Sequence, residues 1–278
     1  LKRFFQGPVN MLDTSRNYAM GESEKRIGIA IKANDGWPEK FVLSTKIDRN
    51  MDTLVLDEKR TRESFEESLK TLNVDSVDVL FLHDPEYAKD INDVTKKGGA
   101  LDELFKIKEE GLAKAVGLAM GKIDIMFPIL RNWEFDVIIN HNRYTLLNRE
   151  ADEMYSYAHS KNISIFNAAP YAGGVLAKGP SNFKKITYQD ASEEKLAPAR
   201  EIEKVCKKYN VEMGAAALQF SMKDKRITST ICGVTSVQSI EKNLAWAKTD
   251  IPEEFWNEVL KLPYSTKDPE SERVYTPG

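Results

Sequence analysis

Cysteine is scarce in this chain of 278 residues. Only Cys206 and Cys232 occur, one in a helical stretch and one at the end of an apolar run, so no disulfide framework is predicted. A reducing, cytoplasmic compartment is therefore expected. No apolar run approaches the roughly 18 to 20 residues that cross a bilayer, and no signal-peptide pattern opens the chain. A membrane partner is not predicted.

The chain also lacks an excess of charge of either sign. Its 40 Lys and Arg residues and 43 Asp and Glu residues give a formal net charge of -3 at pH 7, without long blocks of either sign. A nucleic-acid partner is therefore not expected on electrostatic grounds. With 41% hydrophobic residues, a chain of this length can bury a sizeable core.

What the chain does contain is a regular alternation of short apolar runs with longer helical patterns. This alternation is the signature of parallel βα units. The predicted strands, seven in number, lie near residues 9–12, 41–46, 77–82, 114–119, 136–140, 163–167 and 228–232.

Two α/β architectures accommodate this alternation, an open doubly wound sheet and a closed (β/α)8 TIM barrel. Open sheets that bind dinucleotides carry a glycine-rich fingerprint, and no GxGxxG segment follows any predicted strand. We therefore predict the barrel, as a single domain over residues 1–278 with a polar C-terminal tail at 264–278. Such a barrel needs eight strands, one more than the alternation supplies.

Chemically useful side chains stand where the apolar runs end. Asp13 closes the first run and precedes Tyr18 on a loop, Lys46 closes the second run, and His83 closes the third. In a parallel barrel these strand ends open on one face, where the active-site loops lie. Each residue alone has an ordinary explanation, as a cap, a surface aromatic ring, a solvated charge or a structural hydrogen bond. Their order along the chain favours a shared site.

The segments DTSRNY, STK and LHD resemble the catalytic-tetrad segments of the aldo-keto reductases. The resemblance implies a (β/α)8 barrel whose first strand lies before Leu1, outside this numbering. It also implies an NAD(P)-dependent oxidoreductase that acts on alcohol and carbonyl groups. No metal site is predicted.

The chemistry implied by the resemblance follows from charge. Hydride addition to a carbonyl places negative charge on oxygen, so a proton donor must stand against that oxygen. Tyr18 is the predicted donor, and because an unperturbed phenol has a pKa of about 10, Lys46 is predicted to lower the pKa of Tyr18. Asp13 would hold the ammonium, and His83 would orient the carbonyl. Oxidation runs the same groups in reverse, with Tyr18 as the base.

The resemblance also implies positions for a nicotinamide nucleotide. The segment GLAMG replaces the Ser-Asn pair that holds the carboxamide in the family, His141 stands at the carboxamide-binding Gln, and Ala168 replaces the stacking Tyr. The segment NAAPYAGGVLAKG resembles the pyrophosphate loop, where glycine lets the backbone approach a phosphate. The predicted cofactor-binding residues are Asn140, His141, Ala169, Tyr171, Gly173, Gly174, Leu176, Gly233, Ser239 and Asn243.

The choice of nucleotide is predicted from ICGVTSVQSIEKN, which resembles the family's adenosine segment. Many members that select NADP carry Lys or Arg at the positions of Gly233 and Ser239. Neither residue is basic, so a 2'-phosphate would lose a charge-assisted contact. NAD is therefore predicted as the preferred cofactor, although Lys242 offers a cation nearby. The same segment is consistent with a helix capped by Thr235 or Ser236, whose N-terminus would favour an anion.

The segments LDTSRNYAMGESEKRIG, RYTLL and NAAPYAGGVLAKG most resemble the aldose 1-dehydrogenase subgroup of the family. This resemblance implies oxidation of a free sugar at C1 to a lactone. Three alternatives stay open: a general aldehyde or pyridoxal oxidoreductase, a Schiff-base lyase with Lys46 as nucleophile, and a barrel that binds a nucleotide to regulate a partner. The expected partner is a small sugar or aldehyde, and the sequence does not decide between a monomer and a homo-oligomer.

Overall fold

The computed structural model describes residues 1–273, so the last five residues of the predicted polar tail, 274–278, lie outside the described residues. The described backbone forms two compact units, Leu1–Ile138 and residues 139–273. The single-domain assignment stays a prediction. Across residues 1–273, no helix combines the length and the apolar composition that membrane crossing requires.

All seven predicted strands are confirmed to within two residues. The strands are β1 Met11–Asp13, β2 Val42–Ile47, β3 Val77–His83, β4 Ala113–Met120, β5 Val137–His141, β6 Ser164–Ala168, β7 Lys185–Ile186, β8 Gln189–Asp190 and β9 Ile227–Ile231. In the first unit β1 pairs with β2, β2 with β3 and β3 with β4, all in parallel. In the second unit β6 pairs in parallel with β9, and the short strands β7 and β8 form an antiparallel pair that the sequence analysis did not predict.

Helices follow most of the strands, as the alternation predicts. They are α1 Lys2–Phe5, α2 Glu22–Ala33, α3 Glu58–Leu72, α4 Ile91–Thr95, α5 Ala100–Glu109, α6 Ile123–Asn132, α7 Asp152–Ser160, α8 Val175–Lys178, α9 Glu193–Lys208, α10 Met213–Met222, α11 Val237–Lys248 and α12 Glu253–Val259. Short 3-10 turns occur at Pro85–Tyr87 and Ala172–Gly174. Helix α12 and the short helices α4 and α8 were not predicted.

Helix α3 shows how local sequence sets these elements. Its first turn is capped by Asp57, whose carboxylate accepts from the Arg60 N–H at 2.8 Å, and it ends at Asn73 in the left-handed region. Phe65 is fully buried. Gly28 of α2 lies directly against this helix, since a methyl group there would overlap the Thr71 carbonyl. This close contact fixes α2 and α3 over the strands that carry the candidate site.

The register of the first unit brings the carboxyl ends of three strands side by side. Asp13 of β1 lies opposite Ser44 of β2, and Lys46 lies opposite Phe81 of β3. Strand β2 is buried from Leu43 to Ile47, as expected of a parallel strand covered on both faces. The polar side chains at these strand ends are therefore held by a rigid, mostly buried framework.

Candidate active site

A buried ion pair joins the ends of β1 and β2. The Lys46 ammonium donates to Asp13 Oδ2 at 2.6 Å and to the Thr14 carbonyl at 2.7 Å, while the Ser44 hydroxyl donates to Asp13 Oδ1 at 2.9 Å. Only 1% of the Lys46 side chain and 6% of the Asp13 side chain are exposed. Ser44 and Lys46 are two residues apart on one strand, so both side chains point to the face that Asp13 occupies. The pair is therefore a consequence of strand register.

The charge of Lys46 is fixed by this arrangement. Burial disfavours the ammonium, but the Asp13 carboxylate and the Tyr18 phenol together hold the pKa of Lys46 above its ordinary value. Lys46 is therefore a permanent cation in the folded protein at neutral pH.

Tyr18 stands directly over this cation. The Lys46 Nζ atom lies 4.5 Å from the centroid of the Tyr18 ring, and the Tyr18 N–H donates to the Ser15 carbonyl in a tight turn. Burial raises the pKa of Tyr18 to about 12, with Asp13 and Asp84 acting in the same direction and Lys46 opposing them. Because 40% of Tyr18 is exposed, solvent moderates the burial effect, but both carboxylates keep the direction upward.

This result differs from the sequence expectation about Tyr18 in one respect. Lys46 does lower the pKa of Tyr18, but burial outweighs that effect, so the net pKa lies above the ordinary value. The phenol consequently keeps its proton at neutral pH. Its partial exposure leaves it open to contact by a small molecule.

His83 completes the cluster at the end of β3. Its ring meets the Tyr18 ring edge to face, with centroids 5.7 Å apart. Its Nδ1 atom lies 2.6 Å from Asp48 Oδ1, and its Nε2 atom lies 3.8 Å from Asp84 Oδ1. Burial disfavours the imidazolium, but the two carboxylates, Asp84 and Asp48, raise the pKa of His83 above its ordinary value.

Asp48 was missed by sequence reasoning. It follows β2 directly and is 1% exposed. Its Oδ2 atom accepts from the Ser15 hydroxyl at 2.6 Å and from the Asn17 N–H at 3.1 Å, and its own N–H donates to the Ser64 hydroxyl at 3.0 Å. An acidic residue at a strand end was the available signal, the same signal that drew attention to Asp13.

The four predicted catalytic residues are thus brought together within the first unit: Asp13, Tyr18, Lys46 and His83. Chemically, the cluster holds an exposed neutral phenol between a permanent cation and a titratable imidazole. Across residues 1–273, no three His, Cys, Asp or Glu side chains are grouped so as to hold a metal ion.

The predicted cofactor residues lie in the second unit. Ala169, Gly173 and Gly174 all have φ in the left-handed region, which makes a tight turn after β6. The Tyr171 carbonyl accepts from the Gly174 and Leu176 N–H groups at 2.9 and 3.2 Å. The Leu176 side chain is fully buried, so only its backbone lies at the turn. A methyl at Gly173 would press against the backbone of residues 187–188, which explains why glycine is required there.

Two of the predicted cofactor side chains bind each other. The Tyr171 hydroxyl donates to Asn243 Oδ1 at 2.6 Å, and its ring meets the Trp246 ring edge to face at 5.6 Å. Asn243 and Trp246 belong to α11, so this contact ties the glycine-rich turn to that helix. The Asn243 oxygen is engaged by the protein itself.

The N-terminus of α11 is closed by a capping box. The Ser239 N–H donates to Ser236 Oγ at 3.1 Å, and the Ser239 hydroxyl accepts from the Thr235 and Ser236 N–H groups at 3.2 and 3.1 Å. Ser236 is therefore the N-cap, one of the two residues predicted for it. Ser239 serves the helix end rather than offering a free donor.

Gly233, three residues before the N-cap Ser236, lies in open space. A methyl at Gly233 would meet no atom within 4 Å, so there is open space beside the helix N-terminus, where the helix dipole favours an anion. Lys242, the basic side chain noted in the sequence, lies 4.6 Å over the Trp246 ring. Its charge is held against an aromatic face.

His141 and its neighbours are organised by a buried carboxylate that sequence reasoning also missed. Glu270 is 5% exposed; it accepts from Asn142 Nδ2 at 2.6 Å and lies 3.5 Å from His141 Nε2 and 3.6 Å from an Arg143 nitrogen. Burial alone would favour the acid form, but His141, Arg143 and Asn142 lower the pKa of Glu270 to about 2. Asn140 is buried on β5.

The described part of the predicted polar tail, residues 264–273, is bound along the second unit. The Ser265 N–H donates to the Leu147 carbonyl at 2.9 Å, Arg143 pairs with Asp268 at 2.5 Å, and the Thr187 hydroxyl donates to the Pro269 carbonyl at 3.0 Å. The segment therefore braces both the region after β5 and the loop that packs on Gly173.

The aldo/keto reductase family model matches residues 1–262. The chain therefore belongs to the aldo/keto reductase family and is an oxidoreductase. Members of this family use the nicotinamide nucleotides NAD(H) or NADP(H). The predicted membership of this family is confirmed.

Three curated relatives are sugar or aldehyde dehydrogenases by name. The chain is 29% identical to an L-galactose dehydrogenase from Arabidopsis thaliana, over 88% of this chain and 76% of that protein. It is 27% identical to a D-threo-aldose 1-dehydrogenase from Pseudomonas sp, over 94% and 86%. It is 25% identical to a pyridoxal 4-dehydrogenase from Microbacterium luteolum, over 89% and 82%.

Solved structures identify the fold. The holo form of an aldo-keto reductase from Bacillus halodurans has a TM-score of 0.78 at 18% identity, covering 98% of this chain and 88% of that chain. Its apo form has a TM-score of 0.75. At this identity the likeness shows the fold alone, and it confirms the predicted (β/α)8 class.

The buried pair leads to a prediction about stability. Asp13→Asn leaves the Lys46 ammonium buried without its carboxylate, so we expect the free energy of unfolding at pH 7 to fall by about 3–5 kcal/mol. The double variant Asp13→Asn with Lys46→Met removes both charges of this pair, and we expect it to recover part of that loss. Urea unfolding measures both.

The matched control for that measurement is Lys25→Met, which breaks an exposed pair with Glu22 and is expected to cause no comparable loss. Equal losses in the single and double variants would contradict the assignment of the cost to an uncompensated charge.

Glu270 supports a prediction about pH. Its contribution to stability is present above its unfolded pKa of 4.5 and is lost as the pH falls through about 2. We expect Glu270→Gln to lower the unfolding free energy by about 3 kcal/mol at pH 7, with a difference from wild type that shrinks between pH 5 and pH 2. Denaturant unfolding across that range tests it. Glu272→Gln, at an exposed pair with Lys195, is the control, and a pH-independent difference for Glu270→Gln would count against the prediction.

Proposed function

We propose that this oxidoreductase transfers hydride between a nicotinamide nucleotide and the carbonyl carbon of a sugar or aldehyde, with Tyr18 as general acid and base. The observation that carries the proposal is the position of Tyr18, a residue that is 40% exposed and whose ring lies against the buried Lys46–Asp13 pair. An exposed phenol over a fixed cation is suited to give and take a proton at an oxygen atom.

In the reductive direction the bound nucleotide supplies the hydride, and the substrate oxygen becomes negative. Tyr18 keeps its proton at neutral pH because burial raises its pKa to about 12. The proton donor is therefore in its protonated form before the reaction begins. The Lys46 ammonium stabilises the tyrosinate that remains after proton transfer. Asp13 keeps that ammonium in place through the 2.6 Å contact.

In the oxidative direction an aldose loses hydride from C1 and the proton of its C1 hydroxyl. With a nicotinamide nucleotide bound, the hydride would pass to the nucleotide, the proton would pass to the Tyr18 oxygen, and C1 would become the carbonyl carbon of a lactone. Electrons and protons balance with no further reagent. Oxidation at C1 is supported by the name of one relative, a D-threo-aldose 1-dehydrogenase, and a sugar substrate is supported by that name and by the likeness to an L-galactose dehydrogenase.

The preferred nucleotide is NAD. A 2'-phosphate at the α11 end would find Ser239 engaged in the capping box, and the basic side chain nearby is the exposed Lys242, which lies on the Trp246 ring. Losing one charge-assisted hydrogen bond costs about 1.5–3 kcal/mol. That range corresponds to an NAD preference of roughly 10- to 100-fold.

A second candidate activity is oxidation or reduction of pyridoxal or another aldehyde by the same groups, which the likeness to a pyridoxal 4-dehydrogenase supports. The lyase alternative loses support because Lys46 is 1% exposed and bound to Asp13 and Thr14. An ammonium whose pKa is raised is a poor nucleophile.

The first experiment is a spectrophotometric screen of aldoses, pyridoxal and simple aldehydes with NAD(H) and NADP(H) at 340 nm. We expect aldose oxidation with a kcat/KM at least about 10-fold higher for NAD than for NADP. Activity on pyridoxal alone would move the assignment to the second candidate. A preference for NADP would contradict the interpretation of Gly233 and Ser239.

Tyr18→Phe tests the proton donor. We expect kcat to fall by about 10²- to 10⁴-fold, while the dissociation constant of the nucleotide, measured by fluorescence titration, stays near that of wild type. Tyr157→Phe, on the partly exposed face of α7, is the matched control and should keep full activity. Substantial turnover by Tyr18→Phe would remove Tyr18 from this role.

A further inference from the structure

Asp48 uses both of its oxygens on different parts of the candidate active site. Oδ1 faces His83 Nδ1 at 2.6 Å, while Oδ2 accepts from the Ser15 hydroxyl and the Asn17 N–H at 2.6 and 3.1 Å. Its backbone N–H is held by Ser64, and the residue is 1% exposed. The carboxylate cannot rotate away without losing contacts, so its orientation relative to His83 is fixed.

This orientation decides which ring nitrogen of His83 carries the proton. A carboxylate only accepts hydrogen bonds, and a neutral imidazole has a single N–H. The 2.6 Å contact therefore places that N–H on Nδ1, and Nε2 is left as a bare acceptor. When the ring is protonated, both nitrogens carry hydrogen and Nε2 becomes a donor.

We propose that Asp48 is a positioning residue that acts through His83. In the charged ring, Nε2 of His83 donates a hydrogen bond to a substrate carbonyl. In the neutral ring, Nε2 of His83 accepts a hydrogen bond from a substrate hydroxyl. The effect on a substrate rests on the proposed hydride-transfer function, whereas the contact between Asp48 and His83 does not depend on that function.

The groups that face His83 set the pH at which its Nε2 changes from donor to acceptor. Asp48 stands at Nδ1 and Asp84 at 3.8 Å from Nε2, while Lys46 and the edge-on ring of Tyr18 lie beside it. Burial and Lys46 disfavour the imidazolium, and the two carboxylates outweigh them, so the pKa of His83 lies above its ordinary value. The donor form therefore persists to higher pH than in an isolated histidine.

The same carboxylate also holds the loop that presents Tyr18. Ser15 and Asn17 lie in that loop just before Tyr18, and both bind Asp48 Oδ2. Asp48 thus couples the placement of the phenol to the state of the imidazole. A purely structural role would keep the loop in place without affecting the titration of His83, and this difference can be measured.

The first test needs neither substrate nor nucleotide. The chain has three histidines, so NMR of the ring nuclei, assigned with His83→Gln, reports the pKa and tautomer of His83 in the free protein. We expect the neutral ring to carry its proton on Nδ1, and Asp48→Asn to lower the pKa by about one unit or more. Asp136→Asn, which alters a carboxylate bound to Lys108, is the control and should leave the His83 titration unchanged.

The second test is kinetic, with glyceraldehyde and NADH as the probe. In Asp48→Asn we expect kcat for reduction to decline at a lower pH than in wild type, by the same shift as the NMR pKa, with KM changed less than about threefold. Asp136→Asn should keep the wild-type profile.

Two outcomes would overturn the inference: a neutral wild-type ring protonated on Nε2, or an unchanged His83 titration in folded Asp48→Asn. If Asp48→Asn fails to fold, the wild-type tautomer decides alone. If the wild type reduces no carbonyl, the proposed function fails, but the NMR experiment still tests whether Asp48 sets the tautomer and the pKa of His83.

Discussion

The site depends on one buried interaction, the contact between the Lys46 ammonium and the Asp13 carboxylate. Removing two charges from water is costly, and the contact is stable because the Thr14 carbonyl and the Ser44 hydroxyl satisfy the remaining donor and acceptor groups. Strand register supplies all of these partners without a loop rearrangement. The cation beneath Tyr18 is therefore a property of the sheet, and the phenol above it is the part free to meet a substrate.

Much of this arrangement could be predicted from the sequence because parallel strands bring their ends to one edge. The alternation of apolar runs located every main strand, and polar residues at three strand ends identified Asp13, Lys46 and His83. The placement of Tyr18 followed from its loop. These are signals of residue type and period, which a sequence carries directly.

The remaining features of the site could not be predicted because they depend on contacts between residues that are far apart in the sequence. Asp48 looks like an ordinary turn residue until His83, 35 residues later, is placed 2.6 Å away. Glu270 lies in a polar segment that composition assigns to solvent, yet its partner Asn142 is 128 residues distant. The net pKa of Tyr18 also depends on burial, which outweighs the neighbouring cation and which no local pattern reports.

The charges of the first unit favour the retention of protons around Tyr18. Lys46 is paired with Asp13, and His83 lies between Asp48 and Asp84, so three acidic groups accompany two basic ones beside the phenol. Asp84 acts to raise the pKa of both Tyr18 and His83. Under the proposed function, this balance of charges favours the step in which Tyr18 donates a proton to a carbonyl oxygen.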